Sequence, residues 1–240
     1  MKKIAVMQPY LFPYLGYFQL ANHVDEFWIY DCVQYIRRGW MNRNYVQGGS
    51  ENRRLFTISV NKGHREDRIN NKFLADPFEE DFVKLIRLVE SEYRLFEFKD
   101  VAVSLIEDVA SFASGNRDFV DVTMYSLEKL FNILAIDTNI SRTSTLPIGK
   151  HERGQERIVS VCEEVGAECY INPAGGRSLY DNNLFASKMI RLGFMHANSL
   201  SYLERDNFSR CFLPLSILDF LARIPPEDYP LFLESAKIEF

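Results

Sequence analysis

Residues 2–31, KKIAVMQPYLFPYLGYFQLANHVDEFWIYD, decide the fold class. The run at 2–8 is short and apolar with β-branched members, and it ends at polar Gln8 and Pro9. That pattern predicts a buried strand entering a turn. Leu15, Phe18, Leu20 and Ala21 then recur at near-helical spacing over 15–24. Glu26–Tyr30 is a second strand-like run, stopped at Asp31. Strand, loop, short helix and strand within about thirty residues form a βαβ unit, which pairs its strands in parallel.

Outward from this unit the chain first turns polar. QYIRRGWMNRNYVQGGSENRR, residues 34–54, reads as a surface or functional loop with room for an antiparallel excursion. Residues 54–60 predict a further strand. Residues 77–134 are mostly helical, with apolar stripes at Phe82, Leu85, Ile86 and Val89, at Val101, Leu105 and Val109, and at Val120, Met124, Leu127, Leu130, Phe131 and Leu134. The α/β rhythm then returns. A strand at 139–142 leads to a loop at 144–154, a helix over 155–165 closed by Gly166, and a strand at 168–172. A glycine-containing loop at 173–183 precedes a strand ending near 197, and a last amphipathic helix spans 214–223. The prediction is one α/β domain over residues 1–240, with a mostly parallel, three-layer sheet and a helical insertion at about 77–134.

Composition bounds the partners. The 240 residues carry 28 Lys and Arg against 33 Asp and Glu, a net charge of −5, so no basic excess supports general nucleic-acid or acidic-membrane binding. No run approaches the ~20 apolar residues of a membrane span. Two prolines, a glutamine and three tyrosines interrupt the apolar stretch that follows the N-terminal lysines, so it reads as a mature cytoplasmic N-terminus without membrane insertion. Cys32, Cys162, Cys169 and Cys211 form no CxxC pattern and have no histidines at ligand spacing, so no metal site is predicted. Aromatic content is 14%, with the tyrosines clustered in a few segments.

Ligands of open parallel sheets bind beyond the carboxyl ends of the strands, and three segments follow predicted strands there. Gln8–Tyr17 offers Gln8, Tyr10 and Gly16 for binding, with Tyr14 and Tyr17 as candidate catalytic groups. Tyr14-Leu15-Gly16-Tyr17 is similar to the His-x-Gly-His loop of adenylate-forming nucleotidyltransferases, with tyrosine in place of both histidines. A neutral phenol donates a hydrogen bond but supplies no positive charge to a phosphate. The second segment carries Asp31, Gln34, Tyr35, Arg37, Arg38, Trp40, Asn42 and Arg43. Guanidinium forks suit a diphosphate and an indole face suits a ring, so it predicts a diphosphate-and-ring clamp. The third joins Lys150 in the 144–157 loop to Asn172, Gly175, Gly176, Tyr180 and Asp181. There the glycines allow close backbone approach, and the helix opening near Gln155 offers amide donors. His64 and His151, in loops after strands, are the candidate general bases. His23 is expected to cap or pack at a helix end and His196 to be structural. Cys32 beside Asp31 is a poor nucleophile candidate, because a neighbouring carboxylate raises a thiol pKa.

The stretches MQPYLFPYLGYFQLANHVDEFWIYDCVQYIRRGWMNRN, RIVSVCEEVGAECYINPAGGRSLYD and LPLSILDFL together resemble the WbqC-like protein family. Cys32 departs from it, where members often carry a second aspartate. The predicted sheet is Rossmann-like and resembles the adenylate-forming nucleotidyltransferase class, and the family resemblance implies a bacterial protein of O-antigen or other surface-polysaccharide gene clusters. It also implies an acyl or aminoacyl transferase acting on a nucleotide-linked amino sugar. The acyl donor stays open among coenzyme A, a carrier protein, aminoacyl-tRNA and a free acid with ATP. An ATP-dependent adenylate-forming amide ligase and a non-catalytic sugar-nucleotide binding or scaffold protein are the alternatives.

Overall fold

The strands of the βαβ unit form as their sequence dictates, and the rest of the sheet grows from them on both sides. The computed structural model describes residues 1–48, 53–149, 152–198, 202 and 214–240. Strand β1 (Lys3–Met7), helix α1 (Leu15–Asn22) and strand β2 (Glu26–Ile29) open the chain. The hairpin β3 (Arg43–Val46) and β4 (Arg54–Thr57) follows, then α2 (Phe78–Glu92), α3 (Lys99–Gly115) and α4 (Phe119–Ile133). Next come β5 (Asn139–Arg142), α5 (Gly154–Glu164), β6 (Cys169–Pro173), α6 (Asn182–Ser187) and β7 (Arg191–His196). Helices α7 (Ile217–Arg223) and α8 (Tyr229–Leu233) precede the last strand, β8 (Lys237–Glu239).

Six strands make one sheet in the order β5-β2-β1-β6-β7-β8, parallel except for β8 at one edge. The antiparallel excursion expected after Asp31 is the separate β3–β4 hairpin. Period-2 alternation sorts the strand residues between two cores. Ala5, Phe27, Ile29, Cys169, Ile171 and Met195 face one side, where α1 to α4, α7 and α8 pack. Ile4, Val6, Trp28, Tyr170, Leu192 and Phe194 face the other, beneath α5 and α6. The helices of 77–134 share the first core, with Phe131 edge-on to both Phe18 and Phe27. Gly166 takes a φ of +65° just past α5, a conformation that glycine adopts at no steric cost.

Departures from the sequence reading lie where local pattern is weak. The 173–183 loop holds a 3₁₀ turn, Ala174–Leu179, and the short α6 begins at its end. Helix α8 and strand β8 fall where no periodicity is strong enough to name an element. The last amphipathic helix starts at Ile217, because the Ser216 hydroxyl caps it by accepting from the Leu218 amide at 3.4 Å. His196 is exposed rather than enclosed, and its Nε2 lies 3.2 Å from a Glu239 carboxylate oxygen on β8.

A buried polar cluster ties the helical insertion to the C-terminal region. Asp219 on α7 accepts from the Tyr93 hydroxyl at 2.6 Å, the Tyr202 hydroxyl at 2.8 Å and Arg223 Nε at 3.0 Å. Both members of the Asp219–Arg223 pair are fully enclosed, and the guanidinium lies 4.5 Å from the Phe96 ring centroid. Burial pushes the Tyr93 phenol well above its ordinary pKa, and the Asp219 charge adds to this, so it stays a neutral donor. Removing one partner of a buried ion pair leaves the other charge uncompensated. Asp219→Ala should therefore lower the unfolding free energy by about 3–5 kcal/mol in urea titration. Tyr202→Phe, which deletes one hydrogen bond, should cost about 1–3 kcal/mol.

Candidate functional site

The crossover from β1 to β2 runs through α1 on one face of the sheet, and that from β5 to β6 through α5 on the other. Between β1 and β6 the direction in which the sheet is built reverses, and a crevice opens at the strands' carboxyl ends. A cleft of about 580 Å³ lies there. Met7 at the end of β1 and Asn172 and Pro173 at the end of β6 form its floor. Tyr10, Tyr14, Trp40, Tyr45 and Leu179 wall it, with Asn44, Gly175, Gly176 and Pro214 completing the lining.

The loop after β1 is fixed by long-range hydrogen bonds rather than by its own sequence. Phe12 is a buried non-glycine residue at φ +51°. Its carbonyl accepts from Asn44 Nδ2 at 3.0 Å and from the Ser216 hydroxyl at 2.8 Å. Leu11 donates its amide to the Met41 carbonyl at 2.8 Å, and Ile217 to that of Pro13 at 2.6 Å. Such a backbone conformation persists only where the surroundings over-determine it. Hairpin β3–β4 and the start of α7 thus clamp the loop that presents Tyr10 and Tyr14 to the cleft.

The two tyrosines expected to act as a pair are separated. Tyr14 lines the cleft as the residue before α1. Tyr17 is fully buried and donates its hydroxyl to the Gln8 carbonyl at 3.0 Å, so it serves packing and not ligand contact. Gly16 is buried within α1, and Gln8 contributes that carbonyl without lining the cleft. Burial raises the phenol pKa of Tyr10 and of Tyr14, with Tyr10 adding to the shift of Tyr14. Both are neutral hydrogen-bond donors near pH 7.

Asp31 is a corrected expectation as well. It is completely buried at the end of β2 and bound from the loop after β5. The Ser144 amide donates to it at 3.0 Å, the Ser144 hydroxyl at 2.6 Å and the Thr143 hydroxyl at 3.3 Å. Those donors fill its carboxylate, making it a strut between neighbouring strand ends. Cys32 next to it is buried with its Sγ 3.4 Å from the Thr143 hydroxyl. Asp181 caps α6 by accepting from the Asn183 amide at 2.9 Å.

The predicted arginine-and-ring clamp is split across two adjoining depressions. Trp40 belongs to the cleft, 5.6 Å from the Tyr45 ring. Arg37, Arg38 and Arg43, with Lys62 and Lys72, line a basic depression of about 340 Å³ that also includes Tyr35 and Asn42. Arg43 bridges the two, its guanidinium 5.2 Å from the Trp40 centroid while Nε donates to the Gly39 carbonyl at 2.8 Å. Asn42 is buried between the Tyr35 hydroxyl, from which it accepts at 3.0 Å, and the Ile58 carbonyl, to which it donates at 2.7 Å. Gln34 donates to the Arg65 carbonyl at 2.6 Å, away from the cleft.

At the far wall, Asn172 Oδ1 accepts from the Tyr170 hydroxyl at 3.0 Å and the Tyr180 hydroxyl at 3.3 Å. Tyr180 therefore supports the cleft from behind instead of lining it. His64 is exposed on the loop before Asp67 and borders none of these depressions. His23 sits at the end of α1, its Nδ1 2.7 Å from the Gln19 carbonyl. Lys150 and His151 lie outside the described residues. Among the described residues no cluster of three or more His, Cys, Asp or Glu could hold a metal ion, and no helix is long and apolar enough to cross a membrane.

A mostly parallel sheet with a small-molecule-sized aromatic cleft at its switch point defines an α/β protein built to present loops at its strand ends. The chain belongs to the WbqC-like protein family, which it matches over residues 8–230. It is similar to "Uncharacterized protein Rv1507c" of Mycobacterium tuberculosis (strain ATCC 25618 / H37Rv), with 26% identity over 235 residues covering 95% of this chain and 96% of that one. No solved structure matches it.

Gly175 and Gly176 make a test of the cleft wall. A Cβ on Gly176 would lie 2.3 Å from Asn172 Nδ2, whereas one on Gly175 meets no described atom within 4 Å. Gly176→Ala should push Asn172 out of place and cost about 1–3 kcal/mol of stability. Gly175→Ala should melt within about 0.5 kcal/mol of the parent, as unobstructed surface changes do. Thermal unfolding of the two variants side by side checks this.

Proposed function

We propose that the cleft binds a nucleotide-linked amino sugar and that the protein transfers an acyl or aminoacyl group to its amine, in bacterial O-antigen or surface-polysaccharide biosynthesis in the cytoplasm. The observation that carries this reading is the junction at Trp40 and Arg43, where an aromatic-walled cleft meets a depression lined by five cations. Aromatic faces suit the sugar and base rings, and guanidinium forks suit the diphosphate between them. No carboxylate among the described residues lines the basic depression, and Asp67 reaches it only through Lys72, at 2.8 Å.

Amide formation joins the amine nitrogen to the acyl carbon, expels the donor's carrier group and releases one proton. In this reading the neutral phenols of Tyr10 and Tyr14, which line the cleft, donate to the oxyanion, a role that needs no charge on the donor. With His64 away from the cleft, the proton acceptor in this reading is the leaving carrier group or His151. The ligase alternative draws on the likeness of residues 14–17 to a nucleotidyltransferase loop. Only Tyr14 of that pair reaches the cleft, so the transferase is preferred.

Thermal shift with UDP-, dTDP- and GDP-amino sugars, beside ATP and acetyl-coenzyme A, tests the proposal. A ligand at a hundred times its dissociation constant adds about 2.7 kcal/mol of stability. A shift with one amino-sugar nucleotide is expected, lost in Trp40→Ala and weakened in Arg38→Ala. A shift with ATP alone would favour the ligase, and no shift with any of them would remove the sugar-nucleotide reading.

A further inference from the structure

The acidic net charge conceals one strongly basic segment. Residues 34–72 carry nine Lys and Arg against three Asp and Glu, whereas the rest of the chain carries 19 against 30. Two stretches of this segment lie side by side. Gln34 pairs with Arg68 in an antiparallel bridge, Tyr35 donates its amide to the Asp67 carbonyl at 2.9 Å, and a terminal nitrogen of Arg37 donates to the Gly63 carbonyl. Arg43 donates to the carbonyls of both Arg38 and Gly39. The turn that bears Arg38 is thus held in place before any ligand arrives, which lowers the cost of binding one.

Many surface cations elsewhere are paired, as Lys84 is with Glu80, Lys129 with Asp108 and Lys188 with Glu163. Arg38, Lys62 and Arg65 are exposed on this face, and their side chains make no hydrogen bond or ion pair among the described residues. Of the nearby acids, Asp67 is bound to Lys72 at 2.8 Å, and Glu66 lines a separate cavity of about 500 Å³ with Arg68, Glu152 and Arg157. Two aromatic rings, each 48% exposed, accompany the free cations. Trp40 stands in the cleft wall beside Arg43. Phe73 lies next to Lys62, its amide donating to Asn61 Oδ1 at 3.1 Å.

Arg65 and Phe73 line neither the cleft nor the basic depression, so a sugar diphosphate held there leaves both unused. A single strand of nucleic acid uses them, because it brings a phosphate with every base and each base has a face to stack. A duplex hides those faces, and an acidic protein surface brings charge without a ring at each repeat. We propose that this face binds single-stranded nucleic acid, with phosphates on Arg38, Lys62 and Arg65 and a base on Phe73. Use of the surface to deliver the acyl donor rests on the transferase reading, but the binding does not. On that reading the donor is an aminoacyl ester on the terminal ribose of an RNA. The amine nitrogen bonds to the acyl carbon as the ester C–O bond breaks, and the ribose oxygen leaves with the amine's proton.

Fluorescence anisotropy of the full chain with a labelled oligonucleotide of about ten residues, as RNA and as DNA, tests the proposal. The logarithm of the binding constant should fall against that of salt concentration with a slope of about −2, as three phosphate contacts on a single strand require. Lys62→Gln and Arg65→Gln should each reduce the slope by about 0.7, at positions where no side-chain bond is lost. Phe73→Ala should weaken binding about tenfold without changing the slope, as loss of one stacked base implies. Preference for RNA would support the surface together with its donor role, and equal affinity for DNA would support the surface alone. No binding at micromolar concentration in low salt would overturn the proposal. So would a slope unmoved by both Gln variants, parent-like binding by Phe73→Ala, or tighter binding of a duplex. Displacement by polyglutamate as complete as by unlabelled strand would also overturn it, marking a docking surface for an acidic protein. Arg65→Gln and Phe73→Ala should keep any thermal shift with sugar nucleotides. Nucleic-acid binding by a parent that takes no sugar nucleotide would keep this surface and discard the transferase, and the converse would discard this surface alone.

Discussion

The structure depends on one topological constraint, the reversal between β1 and β6. Parallel neighbours require crossover connections, and those connections are right-handed. Extending the sheet from β1 toward β2 and β5 places α1 and α4 on one face. Extending it toward β6 and β7 places α5 and α6 on the other. At the boundary the two flanking connections diverge, and neither closes over the strand ends. The cleft is this uncovered gap, floored by Met7, Asn172 and Pro173.

What shapes the gap is a set of buried polar anchors. The Phe12 carbonyl binds the loop after β1 to β3 and to the residue before α7. Asp31 binds the end of β2 to the loop after β5, and Asp219 binds α7 to the end of α2. Each satisfies its donors inside the core, where a missing partner would cost more than the bond contributes. Buried groups of this kind add little net stability over apolar packing, but they fix which segments meet. Here they fix where Tyr10, Tyr14 and Trp40 stand relative to one another.

The elements with a strong period were legible in the sequence. Lys3–Met7, Glu26–Ile29 and Asn139–Arg142 follow the predicted strands. The stripe residues Phe82, Leu85, Leu105, Val109, Leu127 and Leu130 are buried as the helical spacing requires. Helix α6, helix α8 and strand β8 were not legible, because segments of six, five and three residues are too short for a period to show. Within the site, Tyr10, Tyr14, Trp40, Asn172, Gly175 and Gly176 stand out in the sequence as strand-end residues, and all of them line the cleft. Tyr17 and Asp31 turn inward instead. Polar atoms near a strand end read alike whether they face a ligand or a neighbouring loop. Arg157 escaped the sequence reading although it leaves a signal, a charge on the buried stripe beside Ile158 and one turn before Val161.

The sequence by itself determined the fold class, the helical insertion and the strand ends from which ligand-facing loops emerge. These follow from short-range periodicity, which a chain carries in its own order of apolar and polar residues. Only the tertiary structure decided which polar residues face a cleft and which serve as struts. It also set Trp40 in the cleft and Arg37 and Arg38 in the adjoining depression, with Arg43 bridging the two, and brought Arg157 and Glu152 to one cavity. Those outcomes depend on hydrogen bonds between segments more than a hundred residues apart, such as Asp31 with Ser144 and Phe12 with Ser216. No local pattern encodes them, because each partner is satisfied only once the sheet has assembled.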